Sequence, residues 1–334
     1  MAQAEMKWKP EYMNLELTSK CPLRCPQCYC TLEGGKNLPL ETALHWIEEA
    51  SAMGLKEVML SGGETLCYPH LYEVIRAVRD HGANANVALS GWHFTQEVYD
   101  KLIESGVAQI FISLNGSTEE INSLTRDGYE YAIKALELLQ ANHYPKTTIN
   151  WVMHSNNSDD FENMVALAEK YDVSLITIIG LKPDSAHTMH TFPSLEQMQY
   201  VKNVIKSHKG KVKIGVETCY SPMLAFVCDT KLFGNFNVGP SLGCTAGRFN
   251  FSVSVDGELS PCRHLEYYEK HDSLREYWEN SPVLAQLRTM EDSKKEPCST
   301  CRLSNNCRHC AAINAKLNHA IYLGHPFCQL HQTS

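Results

Sequence analysis

No apolar run in the chain approaches the ~20 residues that a membrane-spanning helix needs. The longest, such as SLITIIG ending at Gly180, are far shorter. The start, MAQAEMKWKP, lacks the apolar stretch of an export signal. Nor is there a basic patch: Lys and Arg are scattered, Asp and Glu outnumber them 38 to 30, and the net charge is −8. These absences argue against a membrane span, secretion and a nucleic-acid partner, and they point to the cytoplasm. Disorder is excluded by composition, since 43% hydrophobic and 20% charged residues in a chain of 334 allow one large core or two smaller ones.

Cysteine is what the chain has in excess. Fourteen thiols without an export signal read as reduced, and their clustering favours metal or iron–sulfur ligation over disulfides. Cys21, Cys25, Cys28 and Cys30 lie near the start, while Cys244, Cys262, Cys298, Cys301, Cys307, Cys310 and Cys328 crowd the last third. Cys67, Cys219 and Cys228 stand apart. Small-hydrophobe use in a core would scatter cysteines, so it accounts only for the isolated ones.

Between the clusters, strand-like runs alternate with amphipathic helical patterns six times, from YMNLEL and LETALHWIEEASAM to SLITIIG and SLEQMQYVKNVIKSH. That alternation calls for an α/β fold with a parallel sheet, closed into a barrel or open and doubly wound. After KVKIGVE the pattern breaks, and FNFSVSVDGELSPC carries the Asp-Gly signature of a β-hairpin. The expected division is therefore a first domain over 1–235 and a cysteine-rich second one over 236–334.

The first cysteine group falls in the loop after the first strand, on the C-terminal rim where such sheets assemble their chemistry. Its C-x-x-x-C-x-x-C spacing suits three ligands of a [4Fe–4S] cube with one iron left open. A tetrahedral zinc site is the alternative, with Cys30 as fourth ligand, and CSTCRLSNNCRHC could be a second such site.

Cys21, Cys25 and Cys28, followed by LSGGETL after the second strand, resemble the radical S-adenosylmethionine (SAM) superfamily. The resemblance implies a partial (β/α)6 TIM-like barrel, a [4Fe–4S] cluster on those three cysteines, and reductive cleavage of SAM to a 5′-deoxyadenosyl radical. It implies that Gly62 and Gly63 let backbone approach the cofactor, that Glu64 accepts from its ammonium, and that Ser90 lines the pocket. Ser113 and Arg126 would hold its carboxylate. The chain departs from the family pattern at Gln27, where an aromatic is frequent, and at Asn115, where Asp is common.

The C-terminal cysteines resemble the SPASM extension of peptide- and protein-modifying members. By that resemblance Cys298, Cys301, Cys307 and Cys328 hold an outer auxiliary cluster and Cys244, Cys262 and Cys310 an inner one, giving three [4Fe–4S] clusters in all. The inner cluster lacks its usual fourth cysteine, so Cys219 or Cys228 reaches in, or one iron stays open. The function implied is maturation of a ribosomally made precursor peptide by an oxidative side-chain crosslink. Peptide epimerisation with Cys30, Cys67, Cys219 or Cys228 as hydrogen donor, a sulfatase-maturase-like oxidation, and a non-catalytic iron–sulfur or zinc scaffold are the alternatives. Arg263 and His264 follow Cys262 where sulfatase maturases carry Asp, which weakens the second of these. With about a dozen residues before the first strand, either a separate leader-peptide-binding protein presents the peptide or the barrel and auxiliary domain read it themselves, and a flavodoxin or ferredoxin is the expected electron donor.

Overall fold

The computed structural model describes residues 7–30, 35–182, 191–220, 242–296, 298–301, 304, 307–318 and 321. Seven parallel strands form the frame: β1 (Tyr12–Thr18), β2 (Glu57–Gly62), β3 (Asn84–Leu89), β4 (Gln109–Ser113), β5 (Thr147–Met153), β6 (Leu175–Gly180) and β7 (Lys213–Val216). They pair in chain order, each with the next. Connecting helices include α1 (Leu40–Ala52), α2 (Leu71–Asp80), α3 (Gln96–Ser105), α4 (Glu119–Ser123), α5 (Tyr129–Ala141), α6 (Phe161–Lys170) and α7 (Leu195–Ser207).

Parallel pairing puts matching apolar positions side by side. Leu89, Ile112, Ile149 and Ile176 stand in register across β3 to β6 and are all buried. Full burial of such a side chain contributes about 1.5–3 kcal/mol, so this row alone fixes the strand register firmly. Helix ends follow local chemistry. Thr95 accepts from the Val98 amide at the start of α3, and Gly106 ends that helix at φ +87°, a conformation that favours glycine. Ser194 and Gln197 form a reciprocal capping box on α7.

The expected partial barrel of strand–helix units is present, and the sheet extends past it at both edges. KIGV forms β7 against β6, although it is only four residues long and no helix pattern follows it. On the opposite edge, β8 (Leu242–Gly243) is followed by β9 (Asn250–Val253), which pairs in parallel with β1, and by β10 (Leu259–Ser260), antiparallel to β9. The Asp-Gly hairpin is thus stitched to the barrel's own sheet. Asn14 donates to Asn250 at 2.9 Å, and the Trp46 indole donates to the Gly257 carbonyl at 3.2 Å. A short strand, β11 (Cys307–Arg308), pairs with β8. No helix among the described residues is long and apolar enough to cross a membrane.

Candidate active site

The C-terminal ends of β1 to β6 surround one cavity, and Cys21, Cys25 and Cys28 form part of its wall together with Gly62, Gly63, Ser90, Ser113 and Arg126. Eight residues named from sequence are therefore brought to one place. The glycines are there because the backbone allows nothing larger. Gly63 N–H donates to the Thr18 carbonyl at 2.6 Å and Glu64 N–H to that of Lys20 at 2.8 Å, which zips the GGE turn onto the stem of the cysteine loop. A Cβ at Gly62 or Gly63 would collide with the carbonyl oxygens of Thr18 and Lys20, and Gly62 also has φ +142°. Gly63→Ala is expected to cost about 1–3 kcal/mol of stability through this overpacking and to lower iron retention after reconstitution. A melting curve and an iron assay would check both.

Glu64 does not itself line the cavity but bonds Ser90, which does. It is fully buried, and its carboxylate accepts from the amides of Leu66 and Ser90 at 3.1 and 2.9 Å and from the Ser90 hydroxyl. Burial raises its pKa while the Ser90 and Leu66 bonds and Arg126 oppose the rise. Its role in the fold is to anchor Ser90 in the cavity wall and to cap the turn Thr65–Cys67. Cys67 ends that turn, and its thiol is raised by burial and by Glu64.

Arg126 is held by a buried amide network. Asn115 donates through Nδ2 to Thr125 at 3.0 Å and accepts from the Val152 amide at 3.1 Å; Asn122 accepts from Asn115 N–H and donates to the Arg126 carbonyl at 2.7 Å. Asp127 accepts from the Arg24 amide at 2.7 Å and ties the same loop to the cysteines. The Arg126 Nε is buried with no partner, so a donor is free for an acidic ligand. Gln27 donates its amide to the Thr125 carbonyl at 3.3 Å.

The thiols differ in acidity. Burial pushes Cys21 up to about 11. Cys28 is held down to about 6 by the adjacent Cys30 thiol, against its burial, with Arg126 and Arg263 adding to the effect. Cys30 lies between Cys28 and the Gly62 carbonyl, 3.3 Å from the latter, and also faces the cavity.

A second thiol group lies outside the cavity lining. Cys219, on the turn after β7, is in side-chain hydrogen-bonding contact with both Cys244 and Cys310, and Cys262 lies within their electrostatic reach. Cys244 is positioned by β8 and β11, its amide donating to the Arg308 carbonyl at 2.7 Å. Between this group and the cavity sits Lys182, which donates to the Gly180 carbonyl at 3.1 Å and pairs with Glu217 at 2.5 Å. Burial lowers its pKa, but Glu217, Cys310 and Cys219 outweigh that and raise it. The sequence reading missed this ion pair; its signal is a charge set directly after each of the apolar runs LITIIGL and KIGV. Arg263 and His264 also line the cavity, packed against Tyr29 of the cysteine loop.

Cys298 and Cys301 share a turn, and Cys307 lies on β11. Cys310 faces Cys219 and Cys244, which takes it out of a single four-thiol zinc site built from CSTCRLSNNCRHC. Cys228 and Cys328 lie outside the described residues. As the thiols stand, no three or more His, Cys, Asp or Glu among the described residues are set to hold a single metal ion.

Residues 15–168 match the radical SAM superfamily, and residues 244–302 match SPASM, an iron–sulfur cluster-binding domain. The chain carries a radical SAM domain and a SPASM domain. It is 25% identical to an AdoMet-dependent heme synthase of Methanosarcina barkeri, over 91% of each chain. It is 26% identical to a PqqA peptide cyclase of Ruegeria pomeroyi, over 91% of this chain and 80% of that one. Among solved structures, Streptococcus suis SuiB bound to S-adenosylmethionine superposes with a TM-score of 0.76 at 16% identity, covering 96% of this chain and 77% of SuiB. The anSMEcpe structure with bound AdoMet and the Cp18Cys peptide gives the same score and identity, covering 97% and 95%. At that identity the likeness shows the fold. The superfamily's SAM and [4Fe–4S] cluster fit the cavity on this chain's own geometry: three thiols on one loop, two glycines that leave the backbone exposed, and an arginine donor without a partner. The SPASM domain implies auxiliary iron–sulfur clusters as well.

Proposed function

We propose that this protein matures a ribosomally made peptide by an oxidative side-chain crosslink, using SAM and three [4Fe–4S] clusters. The observation that carries the reading is the single cavity lined by Cys21, Cys25, Cys28 and Arg126 together with Lys182, Arg263 and His264, with Lys182 in electrostatic reach of the inner thiols Cys219 and Cys310. When bound, the reduced cluster and SAM supply a 5′-deoxyadenosyl radical that takes a hydrogen atom from the substrate, and the auxiliary clusters supply an acceptor for the electron released on bond formation.

In this reading Arg126 holds the cofactor carboxylate through its free Nε, Ser113 stands beside it, and the backbone at Gly62 and Gly63 takes the ammonium end, with Glu64 anchoring Ser90. Cys219, Cys244, Cys262 and Cys310 hold the inner cluster, and Cys298, Cys301, Cys307 and Cys328 the outer one. A flavodoxin or ferredoxin supplies the first electron, and a separate leader-binding protein presents the peptide. The proposed domains remain 1–235 and 236–334. The similarity to a PqqA peptide cyclase supports a peptide substrate; the similarity to a heme synthase, spanning 91% of both chains, favours a tetrapyrrole as the second reading.

Arg126→Ala is expected to weaken SAM binding by about 1.5–3 kcal/mol, the range for hydrogen bonds to charged groups, with iron content unchanged. Calorimetry indifferent to this change would show that another group holds the carboxylate. Coexpression with the precursor peptide encoded nearby, followed by mass spectrometry, tests the function: a loss of two hydrogens supports the crosslink, and an unchanged mass with inverted stereochemistry rejects it.

A further inference from the structure

The cavity has an unbalanced wall. Three permanent cations, Arg126, Lys182 and Arg263, line it, and no Asp or Glu among the described residues does. Two of the three are accounted for, since Lys182 is paired with Glu217 and Arg126 faces the position assigned to the cofactor carboxylate. Arg263 is different. It forms an ion pair with Glu16 at 3.6 Å, Nη2 to Oε1, which is too long for a hydrogen bond, and its Nε and Nη2 are buried with no hydrogen-bond acceptor. Its guanidinium carbon sits 4.3 Å from the centre of the Tyr29 ring, and that ring meets His264 edge-on at 4.9 Å. The fork is thus packed in place while its donors are left open.

Open buried donors on a fixed guanidinium are costly until an anion fills them, and the planar fork matches a carboxylate with two parallel bonds. We propose that the substrate carries a carboxylate and docks it on Arg263, with the Lys182 and His264 face of the cavity beside it. This deepens the reading above and rests on that reading's placing of the substrate in this cavity. For a peptide, the group is a Glu or Asp side chain near the reacting residue. The competing use of Arg263 is to balance negative charge at Cys28, which lies within its electrostatic reach.

The test uses the reconstituted holoenzyme with SAM and three synthetic peptide libraries that differ at one central position: Glu, Gln or Lys. Retention on the immobilised enzyme is read by mass spectrometry. The Glu library should be retained at least ten-fold over the Gln library. That preference should fall to within two-fold in Arg263→Gln and partly return in Arg263→Lys, with iron content and SAM binding at wild-type levels in both. No Glu preference in the wild type, or a preference that survives Arg263→Gln, would overturn the proposal. Loss of iron in Arg263→Gln with wild-type iron in Arg263→Lys would overturn it in favour of charge balance at Cys28. Mesoporphyrin and its dimethyl ester form a parallel arm. Binding of the diacid alone, dependent on Arg263 and without peptide retention, supports the carboxylate site and rejects the peptide reading. Peptide retention with the Glu preference but no two-hydrogen loss supports the site and rejects the crosslink.

Discussion

Replacing Cys21, Cys25 and Cys28 together by Ala is expected to abolish SAM cleavage and to remove about four of roughly twelve irons per reconstituted chain. The three thiols share one loop and one cavity, and among the described residues the only other thiol lining it is Cys30 on the same loop. The auxiliary thiols come from separate elements, namely the turn after β7, the β8–β11 pair and the end of β10. Their iron should therefore persist. The measurement is iron and sulfide content beside 5′-deoxyadenosine formation. Cleavage that survived the triple replacement would refute the assignment, and complete loss of iron would show that the two thiol groups are not independent.

The second large effect is expected at Cys219. Its thiol contacts both Cys244 and Cys310, although it lies on the turn after β7 and outside the SPASM match. Cys219→Ala should change the low-temperature EPR signal of the reduced auxiliary clusters and lower product formation at least ten-fold, while SAM cleavage without product continues. Cys228→Ala should leave both unchanged. The physical reason is the ligand set: a ligand at Cys219, beside Cys244 and Cys310 and within electrostatic reach of Lys182, would tune the acceptor that the substrate radical needs. An unchanged spectrum in Cys219→Ala would mean that the inner cluster keeps an open iron or takes its fourth ligand elsewhere.

Much of the barrel was legible because parallel strands such as LITIIG are apolar on both faces and their helices show a clean 3.6-residue stripe. The cofactor wall was legible for a different reason. Its residues sit at strand ends in chain order, so Cys28, Gly63, Ser90 and Ser113 converge once the strands pair in register. What the sequence withheld was contact between elements distant in the chain. KIGV gave no helix to mark it as a strand, so β7 and the turn bearing Cys219 could not be set beside Cys310. Nothing local to Glu64 reveals that Ser90, on the next strand's end, donates to its carboxylate. Arg263 registered only as the absence of an Asp; its open donors are visible once Tyr29 and Glu16 are in place.

The central claim is that a substrate radical forms between the two thiol groups and loses an electron to the inner one. The most direct measurement is turnover of the precursor peptide in deuterium oxide, followed by mass spectrometry of the product. The account predicts a product two hydrogens lighter, one equivalent of 5′-deoxyadenosine per crosslink, and no solvent deuterium at any α-carbon. A product of unreduced hydrogen count carrying one solvent deuteron at an α-carbon, lost when one of Cys30, Cys67, Cys219 or Cys228 is replaced without loss of iron, would contradict it and establish epimerisation.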